Sequence, residues 1–175
     1  STNTAVGYQA LFGNTSGAFN TAIGNQALYS NTTTSFNVAI GDRTLYSNTT
    51  GTQNTAIGIQ ALYSNLTGSY NVADGVQALY NNTGSYNTGC GYSALSSNTS
   101  GGGNTAISPY NSSGSYAPVF DPTTQSNRFC MGSTGITNAY IQVAWTVVSD
   151  ERDKTDFAPV PHGIDFVSKL KPTAY

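Results

Sequence analysis

The chain has 175 residues and a formal net charge of −2, a length that suits one or two ordinary domains. Charged residues make up only 8%, where a globular domain carries about a quarter, and 11% are aromatic, too many for a disordered chain. The charge excludes a nucleic-acid binder that works by neutralising phosphates, and no apolar run approaches the roughly 18 residues of a membrane-spanning helix.

From the first residues onward the chain repeats itself. Aligned on asparagine, units start at Asn3, Asn20, Asn37, Asn54, Asn71, Asn87 and Asn104, at intervals of 17, 17, 17, 17, 16 and 17. Each unit follows N-(T/V)-A-(I/V)-G-x-x-A-L-Y-x-N-T-x-G-x-aromatic, with lapses. A period this strict marks a solenoid. "NTAIG" predicts a short strand ended by glycine, "QALYSN" a second strand, and "NTTG" with its variants the turn between coils. Two strands per coil predict a flattened β-roll. The chain begins inside a repeat, so it reads as starting beyond a missing N-terminus.

Stacked coils place equivalent residues in columns about 4.8 Å apart. One column holds Leu11, Leu28, Leu45, Leu62, Leu79 and Leu95. A second holds Val6, Ile23, Ile40, Ile57, Asp74, Cys90 and Ile107, and is expected on the inside with the leucines. A small column runs from Ala5 through Ala22, Ala39, Ala56 and Ala73 to Gly89. Asn14, Asn31, Asn48, Asn65, Asn82 and Asn98 are placed to form an amide ladder. Two large aliphatic side chains per coil bury too little to order a coil, so the aromatic columns also need cover. These are Phe12, Tyr29, Tyr46, Tyr63, Tyr80 and, more loosely, Phe19, Phe36, Tyr70, Tyr86. Neighbouring copies of the chain are the natural cover. Asp74 puts a carboxylate in an aliphatic column, where burial without a partner would be costly.

These repeats resemble the left-handed β-roll heads of trimeric autotransporter adhesins and the similar "NTAIGxQALYSNT" arrays of phage tail fibres. The resemblance spans residues 1–108 and implies an all-β, left-handed parallel β-roll solenoid in a parallel homotrimer.

After Ile107 the period stops. Residues 109–148 read as a connector and β-stranded trimeric neck, with strands at "RFCMG" and at "NAYIQVAWTVV", whose alternation gives one face to Ile141, Val143, Trp145 and Val147. From Ser149 onward the composition changes: nine charged residues follow, against five in the preceding 148. "PHGIDFVSKLKP" predicts a short helix with Ile164, Phe166, Val167 and Leu170 on its apolar face.

"SDERDKTDFAPV" with "GIDFVSKLKPTAY" resembles the start of the intramolecular chaperone auto-processing domain of endosialidase-type tailspikes and many tail fibres. Ser149, Asp150, Arg152, Lys154, Leu170, Lys171, Pro172 and Tyr175 match that pattern by position, and Asp153 departs from it. The resemblance covers residues 149–175 and implies a small α+β domain of which this is the N-terminal part. It also implies self-cleavage by a Ser–Lys dyad, Ser149 as nucleophile and Lys154 as general base. For that role the lysine pKa must fall from about 10.4 to about 7–8 by desolvation. The alternative is a solvated, charged hinge.

The expected function is the structural and host-attachment part of a trimeric phage tail fibre, located in the virion and extracellular. Its expected partners are itself as a homotrimer, a host cell-surface receptor such as a polysaccharide, and other tail proteins; nucleic acid and membrane insertion are not expected. The alternatives are a bacterial surface trimeric adhesin head and a purely structural extracellular filament without self-cleavage. No enzymatic activity on foreign substrates is expected, and no cofactor or metal site. His162, the one histidine, stands beside Pro161 in a turn-like stretch, and Cys90 and Cys130 lack any metal-ligand spacing. Ice binding is disfavoured, because Val38 and Val72 interrupt the threonine array of Thr4, Thr21, Thr55, Thr88 and Thr105.

Overall fold

The computed structural model describes residues 2–107, 109, 118 and 122–134. The alternating stretch at 138–148, the helix expected after Pro161 and the whole of 149–175 lie outside the described residues. Eight three-residue strands appear in chain order: β1 (Thr4–Val6), β2 (Thr21–Ile23), β3 (Val38–Ile40), β4 (Thr55–Ile57), β5 (Val72–Asp74), β6 (Thr88–Cys90), β7 (Thr105–Ile107) and β8 (Phe129–Met131). They form one sheet in that same order, every neighbouring pair parallel. Thr4 pairs with Thr21, Thr21 with Val38 and Val38 with Thr55, so one coil of chain carries each strand to its neighbour. The all-β solenoid of stacked parallel strands expected from the repeat is the fold, and there is no helix among the described residues.

The second strand expected at "QALYSN" does not form. This stretch is a series of turns in which Gln26 and Leu28 adopt φ of 54° and 51°, and Gln60 and Leu62 of 57° and 51°. The left-handed conformation costs a non-glycine residue roughly 1–2 kcal/mol. It also achieves what a strand cannot: consecutive Ala27 and Leu28 are both fully buried, whereas a strand would send one of them outward. The amides of this wall are satisfied between coils, Gln26 N donating to Tyr8 O (2.8 Å) and Leu28 N to Thr44 O (3.0 Å).

The core is narrow. It consists of the leucine column, the alanines at the centre of each strand, and a second alanine column at Ala27, Ala61, Ala78 and Ala94. Thr44 replaces alanine in that second column, and its buried hydroxyl donates to Gly58 O at 2.8 Å. The Ile column does not belong to the core, contrary to expectation. Val6, Ile23, Ile57 and Ile107 face outward, as does Asp74, so that carboxylate is exposed rather than buried in an aliphatic column. Residues adjacent in a strand point to opposite faces, and the alanines hold the inner one.

Two asparagine ladders fill the rest of the interior, one expected and one not. In the first, the Asn14 series, Nδ2 of Asn31, Asn48 and Asn65 donates to Oδ1 of Asn14, Asn31 and Asn48, at 3.0, 3.2 and 3.0 Å. In the second, each repeat-opening asparagine accepts the backbone N–H of its successor: Asn37 N to Asn20 Oδ1, Asn54 N to Asn37 Oδ1 and Asn71 N to Asn54 Oδ1, all at 3.0 Å. Its Nδ2 meanwhile donates to a turn carbonyl, as Asn54 does to Gly68 O at 2.8 Å. Buried amides satisfied in this way lock one coil to the next.

The 16-residue interval breaks the first ladder. Elsewhere the ladder amide meets the carbonyl three residues on, as Asn65 meets Gly68 O; Asn82 instead meets Gly84 O, two residues on. Asn65 Oδ1 is left as the one buried side-chain polar atom without a hydrogen-bond partner among the described residues.

β8 comes from the segment read from sequence as connector. It pairs with β7 across an interval of 24 residues instead of 17, Thr105 opposite Phe129 and Ala106 opposite Cys130. The strand expected at "RFCMG" thus exists and extends the same sheet. Asn104 Oδ1 accepts the Arg128 N–H at 2.9 Å, continuing the second ladder.

Candidate interaction surface

Each strand turns its first and third residues outward. The first positions run Thr4, Thr21, Val38, Thr55, Val72, Thr88, Thr105 and Phe129; the third run Val6, Ile23, Ile40, Ile57, Asp74, Cys90, Ile107 and Met131. Val6 is 58% exposed, Ile57 40% and Met131 48%, so the column presents aliphatic area to solvent along the whole sheet. Asp74 is the only charged residue in the eight strands. An exposed apolar stripe of this kind, interrupted at Asp74 and Cys90, is a candidate interaction surface. The sequence carried its composition but not its orientation.

A second feature lies on the turn wall. Phe12, Tyr29, Tyr46, Tyr63 and Tyr80 stack one on the next, with centroids 5.1–5.3 Å apart and planes within 7° of parallel. The coil rise imposes this spacing, and the rings cover one another's faces, leaving Tyr29, Tyr46, Tyr63 and Tyr80 half-buried. Part of the cover that the aromatic columns need is therefore supplied within the chain. The looser column forms two short stacks, Phe19 on Phe36 and Tyr70 on Tyr86, interrupted by Gln53. All five of these residues hold φ between 57° and 64°.

Charge is sparse. Asp42 accepts from Asn25 Nδ2 at 2.6 Å and pairs with Arg43 Nε at 3.3 Å, both charged side chains being substantially exposed, so the pair adds little to stability. No group of acidic, histidine or cysteine side chains suited to a metal ion occurs among the described residues, and no helix there is long and apolar enough to cross a membrane. The dyad residues Ser149 and Lys154, and His162, lie outside the described residues.

These features define a class: a parallel β-solenoid with an uncharged interior, one apolar and nearly uncharged strand face, and stacked aromatics on its turn wall. No protein-family model matches the chain, and neither does any curated protein or solved structure.

Proposed function

We propose that this chain is the structural and host-attachment part of a trimeric phage tail fibre, a rod in which three solenoids lie parallel and cover one another's strand faces. The observation that carries the reading is the exposed Val6–Ile23–Ile57–Ile107–Met131 column on a sheet with a single charged residue. A partner for that face must be as apolar and as periodic as the face itself. A second copy of the chain is both. Sedimentation equilibrium of the 175-residue chain at micromolar concentration is expected to give the mass of three chains. A folded, β-rich monomer at that concentration would sink the reading.

The C-terminal segment supports a maturation step, on its resemblance to chaperone auto-processing domains. Once the assembled trimer has desolvated Lys154, its neutral amine takes the Ser149 hydroxyl proton as the oxygen attacks a neighbouring peptide carbonyl. The C–N bond breaks with the proton passed to the leaving amine, water hydrolyses the resulting ester, and the severed segment is released. In a chain extended by the remainder of such a domain, Ser149→Ala and Lys154→Ala are expected to leave an uncut trimer. Lys154→Arg is expected to fail as well, since arginine stays protonated and accepts no proton. Intact mass decides it: cleavage persisting in Ser149→Ala eliminates the dyad and leaves a charged hinge.

A further inference from the structure

We infer that Asp74 and Cys90 set the axial register in which copies of this chain pack against each other, an inference that rests on the self-association proposed above. A periodic face has a register problem. Sliding one solenoid along another by one coil, about 4.8 Å, sets isoleucine against isoleucine again and forfeits only one layer of contact at the ends. Apolar packing alone therefore leaves several alignments close in free energy, and specific assembly needs a feature that penalises the wrong ones.

The only break in the outward third-position column is at β5 and β6. There Asp74 and Cys90 are register partners on adjacent strands, both exposed, with Ile57 on β4 before them and Ile107 on β7 beyond. No other charged residue lies on the sheet; Asp42 and Arg43 pair with each other beyond the end of β3, and Arg128 precedes β8.

In an unslipped parallel packing, Asp74 meets Asp74 and Cys90 meets Cys90. The carboxylates then share one hydrated layer, and every other layer remains apolar. A slip of one coil sets Asp74 of one copy against Ile57 of one neighbour or Cys90 of another, which strips water from the carboxylate without giving it a partner. It also spoils more layers than the unslipped arrangement does. A polar layer of this kind weakens association while selecting an alignment, as a single polar core position does in a coiled coil. Converging like charges add repulsion, so the layer destabilises the assembly it aligns.

Cys90 supplies the readout, because it is exposed while Cys130 is buried. The 175-residue chain carrying Cys130→Ala, which restores the residue found at that column position in most coils, is treated with copper–phenanthroline to oxidise facing Cys90 pairs to disulfides. Sedimentation is measured in parallel. The expected result for this chain is Cys90–Cys90 covalent dimers approaching the ceiling of two chains in every three of a trimer. Asp74→Asn keeps a polar layer and loses the repulsion, so cross-linking persists and association tightens about tenfold. Asp74→Ile makes the column continuous: association also tightens, but the covalent dimer falls to about half or less as chains spread over several registers. An associated chain with no Cys90 cross-link, or Asp74→Ile cross-linking as fully as the parent, overturns the register inference alone. A parent chain that stays monomeric overturns self-association, and the register with it.

Discussion

Gly58→Ala is expected to cost about 4 kcal/mol or more, the range reserved for substitutions that the surrounding structure cannot absorb. Gly58 ends β4 with φ +122°, a conformation that side chains rarely adopt, and a Cβ there would lie 2.6 Å from both the carbonyl carbon and oxygen of Gly75. Those atoms belong to the backbone of the next coil, so relief requires moving the coils apart. That separation breaks the bonds beside the clash, Gly75 N to Ile57 O at 2.8 Å and Gln77 N to Ile59 O at 2.9 Å. In a solenoid each coil is held only by its neighbours, so a fault at this central joint divides the stack. Ile59→Ala, at an exposed position one residue on, is the control and is expected to change stability by about 0.5 kcal/mol or less. Chemical denaturation followed by circular dichroism gives the two values, and hydrogen exchange at the Gly75 and Gln77 amides locates the fault. Equal midpoints for the two variants would mean that the coils yield at Gly58.

The repeat made most of this architecture legible. Leu62, Asn65 and Gly58 each recur at one period, and a column of leucine, of asparagine or of glycine has one physical use in a stack. What the period could not supply was the width of a coil. Ala56 and Ile57 are adjacent in β4 and cannot both face inward, yet both recur equally well. The interior decides between them: a Cβ at Gly89, in the alanine position, would lie 3.3 Å from Leu79 Cγ and 2.9 Å from the Ala94 carbonyl oxygen. Even a methyl group is crowded at that coil, so a side chain the size of isoleucine does not fit there. The isoleucines are therefore outside, and the apolar column expected in the core is exposed on the strand face.

The turns at "QALYSN" were hidden for a related reason. A short run of Ala, Leu and Tyr followed by turn residues suggests a strand, and nothing in the residue types announces left-handed glutamine and leucine. The eighth coil was hidden by substitution. Each opening asparagine serves the coil after it by accepting a backbone N–H, and backbone donors do not depend on the side chain. Arg128 can thus stand where the other coils carry asparagine, and Gln125 can replace a turn glycine while its carbonyl accepts from Asn104 Nδ2 at 2.7 Å. Of the candidate site residues, Asp74 was visible as an exception in its column, but its exposure followed only from the orientation of β5.

Leu62→Ala separates core from exposed strand face. Leu62 is fully buried at the centre of the leucine column, and truncating it leaves a cavity between the alanines of the strand and those of the turn wall. The expected loss is about 2–5 kcal/mol, towards the upper end because the ladders on either side prevent collapse. Ile57→Ala removes a side chain of similar volume from the strand face, where it is 40% exposed in the single chain. That substitution is expected to cost a single chain about 1 kcal/mol or less, and to act instead on association, where the same methyl groups would be covered by a neighbouring copy. Thr67→Ala, at a turn where the hydroxyl makes one long, exposed bond of 3.4 Å to Thr83 O, is expected to be neutral within about 0.5 kcal/mol. Unfolding at dilute and at high protein concentration tells the three apart. Leu62→Ala should lower the midpoint equally at both, while the deficit of Ile57→Ala should grow with concentration as the parent chain gains from assembly. If Ile57→Ala matches Leu62→Ala in the dilute chain, the isoleucine column is core after all and the strand face is not the surface on which copies meet.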